Sequence, residues 1–305
     1  MNIKFLIVSL FLILSLDSYS QQVSDTGFNP EIKNPAYDSG KGSVVFIDEG
    51  HHNFHTKEGR YKSFSNLLER DGYKVLPYKG TFKKTELANG KILVISNALN
   101  KRNVGDWSLP NPSAFTKEEI QIVKKWIYEG GSLFLIADHM PMAGAATDLA
   151  KEFGFEFTNG FALDSLQRGP SIFNLKEKTL HMSSITSGRN ANESVHQIAT
   201  FTGQGFKIPS DATPILTFDD KHVNLLPSKA WVFTKGTPNH NLKGWFQGAF
   251  KKYGKGRIVV SGEAAMFTAQ IAGPNKVKMG MNNKAATQNY QLLLNIIHWL
   301  DGVIE

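Results

Sequence analysis

Apolar residues recur along this chain in two alternating periods. Short runs rich in β-branched and aliphatic residues, Ser43 to Asp48, Tyr73 to Leu76, Lys91 to Ser96, Ser132 to Ala137 and Arg257 to Ser261, predict buried strands. Helical spacing fills the intervals. Tyr61, Phe64, Leu67 and Leu68 share one face and stop at Gly72, a glycine placed to turn left-handed past the helix end. Thr116 and Glu119 form a capping box ahead of Ile120, Val123, Trp126 and Ile127, and that helix ends at Gly130–Gly131. Ala145 to Phe153 predicts another, broken at Gly154. Leu292, Leu293, Ile296, Ile297 and Leu300 predict the last, stopping at Gly302, with His298 assigned to packing beside Trp299.

Strands alternating with helices imply right-handed crossovers and an α/β domain with a doubly wound, mostly parallel sheet covered on both faces. Between about 160 and 250 the pattern changes to short runs such as Ile215 to Phe218 and Ala230 to Phe233, separated by Gly, Pro, Asn and Asp. This stretch predicts a β-rich insertion in a single domain spanning 21–305. Residues 21–41, with Pro30 and Pro35, read as an extended opening segment.

Such sheets bind ligands outside the carboxyl ends of their strands, so the residue after each apolar run matters most. The first run delivers Asp48, Glu49, His51 and His52, with His55 just beyond; the third delivers Asn97, the fourth Asp138 and His139, and the last Glu263. Topology places all of them at one sheet edge. Glu49, His51, His52, His55, Asp138, His139 and Glu263 are the catalytic candidates, and Asn97 a substrate contact. Arg60, Arg168 and Arg189 are candidates to clamp an acidic ligand. His181, His196, His222 and His240 belong to the insertion.

The chain has no cysteine, which removes disulfides, thiolate ligands and a cysteine nucleophile. It has no Gly-x-Ser-x-Gly elbow either. Imidazole and carboxylate chemistry remains, in two forms: a divalent metal such as zinc, or metal-free acid/base catalysis. His51 and His55 would align as ligands only on a helix, which Gly50 disfavours. The first residues, a charged start, an apolar run from Phe5 to Leu16 and small residues at Ser18 and Ser20, read as a signal peptide over 1–20. The expectation is an exported protein, periplasmic or secreted, with no membrane span. A net charge of +7 points to anionic partners. Scattered lysines without a recognition motif argue against nucleic acid, leaving acidic polysaccharide.

The run from Val44 to Phe157, with Ile47-Asp48-Glu49-Gly50-His51, the helix before Gly130–Gly131 and Ile136-Ala137-Asp138-His139, resembles the class I glutamine amidotransferase-like superfamily. Thr200-Phe201-Thr202-Gly203-Gln204, the strand from Gly256 to Glu263 and Asn295-Ile296-Ile297-His298-Trp299-Leu300 extend the likeness over most of the chain. The resemblance implies a flavodoxin-like fold, while the missing cysteine excludes glutaminase activity. Within that superfamily the chain is similar to an exported branch of polysaccharide-degrading bacteria that includes an ulvan oligosaccharide dehydratase. This implies removal of water from a uronic acid at the non-reducing end of an acidic oligosaccharide, giving a 4,5-unsaturated product. The alternatives are a metal-dependent hydrolase, a deacetylase or esterase of decorated polysaccharide, and a sugar-binding module without catalysis.

Overall fold

In the computed structural model, which describes residues 22–166 and 168–305, the chain opens with a short strand β1 (Gln22–Ser24) and enters its first buried run as β2 (Val44–Asp48). The segment read as a signal peptide lies outside the described residues. Next come α1 (Lys62–Arg70), β3 (Lys74–Tyr78), the one-turn α2 (Lys84–Leu87), β4 (Ile92–Ser96), α3 (Lys117–Glu129), β5 (Ser132–Ile136) and α4 (Met142–Lys151). The middle of the chain carries β6 (Glu156–Phe157), β7 (Phe161–Asp164), β8 (Ser171–Asn174), α5 (Ser184–Ser187), β9 (Gln197–Thr200) and β10 (Phe206–Lys207). It continues through β11 (Thr213–Thr217), β12 (His222–Leu225) and β13 (Asn239–Asn241). The last quarter holds β14 (Phe246–Tyr253), β15 (Gly256–Ser261), β16 (Ala269–Ala272), β17 (Val277–Gly280) and α6 (Asn289–Asp301).

Nine strands form one sheet in the order β3-β2-β4-β5-β15-β14-β10-β6, with β11 also paired to β14. Every residue of β4 and β5 is buried, because helices cover both faces of the parallel half. Alternate side chains divide the core. Val45, Ile47, Val94 and Ile136 face a cluster containing Leu67, Leu68 and the buried side of α6. Phe46, Leu93, Ile95 and Leu135 face one built with Ile120, Val123 and Leu149 of α3 and α4. The Thr116–Glu119 capping box forms as expected, and Gly72 and Gly302 take φ of 97° and 91° past their helices.

The sheet is mixed rather than mostly parallel. β3, β2, β4, β5 and β15 run parallel, whereas β14 pairs antiparallel with β15, β10 and β11, and β10 with β6. The reason is local: only Gly254 and Lys255 join β14 to β15, and a parallel neighbour needs a crossover of about a dozen residues or more. The stretch expected to be an insertion therefore supplies β10, β11 and most of β14 to the main sheet. What stands apart is a three-stranded sheet, β13-β12-β7, and the pair β8-β9. Ala230 to Phe233 is a turn between β12 and β13, not a strand.

Candidate functional site

The carboxyl ends of β4, β5 and β15 open into one cavity of about 200 Å³. Asn97, immediately after β4, holds a left-handed φ of 49°. Its Oδ1 accepts the backbone N–H of Asp138 at 2.9 Å, which locks the ends of β4 and β5 together. Asp138 Oδ1 in turn accepts the N–H of His139 at 2.8 Å. The imidazole Nδ1 of His139 donates to the Met140 carbonyl at 2.6 Å, so in the neutral ring Nε2 is the acceptor nitrogen, and it lies 4.0 Å from Asp138 Oδ1. Phe161 stacks under the ring at 4.4 Å, and Trp231 stands edge-on at 4.7 Å. This histidine is oriented on every side but one.

Glu263 lies on the same cavity and is wholly buried. Burial, and then the neighbouring charge of Asp138, push its pKa well above the usual carboxylate range. The N–H groups of Ala265 and Met266, at 2.9 and 2.7 Å, oppose that shift without cancelling it. His55 also lines the cavity, as a neutral ring. Burial, and then the charge of Arg60, lower its pKa to about 3, and its Nδ1 has no partner. The Arg60 guanidinium itself lies 3.8 Å above the Phe54 ring.

The remaining sequence candidates lie elsewhere. His51 follows β2 at the same sheet edge but is outside the cavity wall. Its Nδ1 is 2.9 Å from both Asp48 oxygens and its Nε2 is 2.9 Å from Glu119 Oε1, between the rings of Phe82 and Phe115. Burial works against its protonated form, yet the hydrogen bonds and charges of Asp48 and Glu119 outweigh burial and raise its pKa. Glu49 accepts the backbone N–H of Lys57, and His52 is exposed. Arg168 is exposed between β7 and β8, and Arg189 pairs with Glu193 on a different cavity. His298 is more than packing: its Nε2 meets Asp71 at 2.6 Å in full burial.

Sequence reasoning missed the aromatic wall, Phe54, Trp107, Phe201 and Trp231, together with Gln270. The four aromatic residues come from loops and Gln270 from β16, and their partners are remote in the chain, so no local period marks the group. Zinc does not fit this constellation. Among the described residues no three His, Asp or Glu side chains gather as a ligand set, His51 has both nitrogens engaged, and Glu263 is held by backbone amides.

No family model and no curated protein matches the chain. Solved structures match it in shape. An mmIFT52 N-terminal domain covers 85% of this chain and 97% of its own length at a TM-score of 0.57, with 14% identity. Two cytoplasmic proteins of Salmonella typhimurium, STM1381 and STM3548, match at TM-scores of 0.48 and 0.46, each 12% identical. STM1381 covers 84% of this chain and STM3548 85%, each over 98% of its own length. At such identities the first of these likenesses speaks for the fold alone: this chain is a mixed α/β protein built on one large sheet.

Proposed function

We propose that the protein is a carbon–oxygen lyase that removes water from a terminal uronic acid of an acidic oligosaccharide such as an ulvan oligomer, leaving a 4,5-unsaturated sugar. The observation that carries this reading is the presence, on one cavity, of an imidazole whose Nδ1 is committed to a carbonyl, leaving Nε2 without a hydrogen bond among the described residues, and of a wholly buried carboxyl whose pKa burial raises. Elimination needs a base and an acid present together, and an imidazole with a free ring nitrogen beside a carboxyl whose pKa is raised can supply both.

In this mechanism His139 Nε2 takes the proton from C5 and the electron pair forms the C4–C5 double bond. The C4–O bond breaks, and the Glu263 proton passes to the departing hydroxyl, which leaves as water. As charge builds on the substrate carboxylate, the Asn97 amide, whose oxygen is already committed to Asp138, has its N–H groups available to donate. Indole faces of Trp107 and Trp231 supply apolar contact for the sugar ring. The parallel strand order supports placing the chain in a cysteine-free branch of the amidotransferase-like superfamily with a flavodoxin-like core. Export rests on the N-terminal sequence.

The test is incubation of saturated uronate oligosaccharides with the protein, read by mass spectrometry and near-ultraviolet absorbance. A product lighter by one water is expected, and Glu263→Gln should lower its rate at least about a hundredfold. A folded sample that yields no such product overturns the reading.

A further inference from the structure

The cavity does not end at its aromatic wall. Trp231 lines it, yet 51% of that residue is exposed, and Val232 and Phe233 beside it are 51% and 38% exposed. Three consecutive large apolar residues facing water at one loop tip are unusual unless something covers them. The tip is also held under strain. Trp231 adopts φ of 67°, a left-handed conformation costly for a bulky side chain. It persists because a second loop grips it: Ser108 bridges to Lys229, Leu109 N–H donates to the Ser228 carbonyl, and Ala230 N–H donates to the Trp107 carbonyl. The exposed cations Arg102 and Lys229 sit on these paired loops, and both act on Asp106 between them.

We infer that this tip is an outer sugar-binding site, an aromatic platform flanked by cations that holds the residues following the terminal uronate of an anionic oligosaccharide. The inference rests on the proposed activity, because it takes the cavity as the place of the chain end. Two features argue for this occupant. The platform adjoins the cavity at Trp231, which lines the cavity and is half exposed at the tip. Lys229 and Arg102 then supply positive charge where carboxylate or sulfate groups of a longer chain would pass, whereas among the described residues no lysine or arginine lines the cavity itself.

The experiment uses the full chain carrying Glu263→Gln, so that ligands bind without turnover, and titrates it calorimetrically with methyl β-glucuronide and with a saturated ulvan tetrasaccharide. The tetrasaccharide should bind at least about tenfold more tightly, as expected for one aromatic contact and one charge contact. Phe233→Ala and Lys229→Ala should each remove most of that advantage while leaving glucuronide affinity unchanged, and the Lys229 contribution should fade as salt is raised. Both positions are exposed, and because the Phe233 ring also meets Phe161 edge-on at 5.2 Å, a melting temperature equal to the parent's is required of each variant. Equal affinity for the two ligands would overturn the outer site and leave the activity standing. Binding of neither would overturn both. A dimer that Val232→Asp dissolves, with tetrasaccharide affinity unaltered, would make the patch a self-association face and overturn the inference.

Discussion

His51 and His139 leave parallel strands of the same sheet at the same edge, two strands apart, and both are buried against aromatic rings. Their chemistry is nonetheless opposite. Both nitrogens of His51 are consumed, one by Asp48 and the other by Glu119, so the ring acts as a strut between β2 and the start of α3. His139 uses only Nδ1, on a neighbouring carbonyl, and keeps Nε2 in hand. Arrival at the strand ends thus places a group near the crevice; unspent hydrogen-bonding capacity is what distinguishes the imidazole to which the proposed elimination assigns the proton.

The largest effect that would sharpen this contrast is on turnover. His139→Ala should reduce the rate on uronate oligosaccharides by about 10²–10⁴-fold, with a melting temperature close to that of the parent. Equal activity in the variant would erase the distinction. His51→Ala should do the reverse. Deleting the ring strands the carboxylates of Asp48 and Glu119 in burial, and a loss of about 3 kcal/mol in urea unfolding is expected. If the fold were instead unmoved and only the rate fell, His51 would belong with the reagents.

A smaller effect separates the two imidazoles whose pKa values move apart, His51 and His55. The folded pKa of His55 lies near 3, below its ordinary 6.5, so the unfolded chain binds the extra proton first. Its contribution is whole above pH 6.5 and is lost as pH falls toward 3, at a slope of at most about 1.4 kcal/mol per unit. His51, raised above 6.5, contributes fully below that value and loses its contribution as pH climbs through its folded pKa. Urea unfolding at a series of pH values should therefore show His55→Gln flattening the acid limb alone and His51→Gln flattening the alkaline limb alone. Any other assignment of the limbs breaks the comparison.

Much of the scaffold was legible because its causes are local. The apolar runs of β2, β4, β5 and β15, the Thr116–Glu119 cap and the glycines closing α1 and α6 each carry their own signal within a few residues. Asn97, Asp138, His139 and Glu263 could be grouped from strand order alone, and they do share a cavity. The role of His51 could not. Its second partner is 68 residues away and is the same Glu119 that caps α3, whose Oε2 serves the helix and whose Oε1 serves the imidazole. Nor was the antiparallel half foreseeable, because β10 and β6 are two residues long and β11 pairs through a bulge, leaving no period to read. Trp231 was grouped with an apolar run taken for a strand; its exposure is set by the paired loop at 107–109.

The position of β15 has a consequence for how the molecule comes into being. This strand arrives late in the chain yet lies between β5 and β14, in the interior of the sheet. Until it docks, two hydrogen-bonding edges stand open, and such edges invite pairing with other chains. Its union with β5 joins residues 132–136 to residues 257–261, a long-range closure that makes folding slow relative to that of locally wired domains. A chain cut short before Gly256 would lack this wedge and the Glu263 that follows it, leaving the edges of β5 and β14 unjoined.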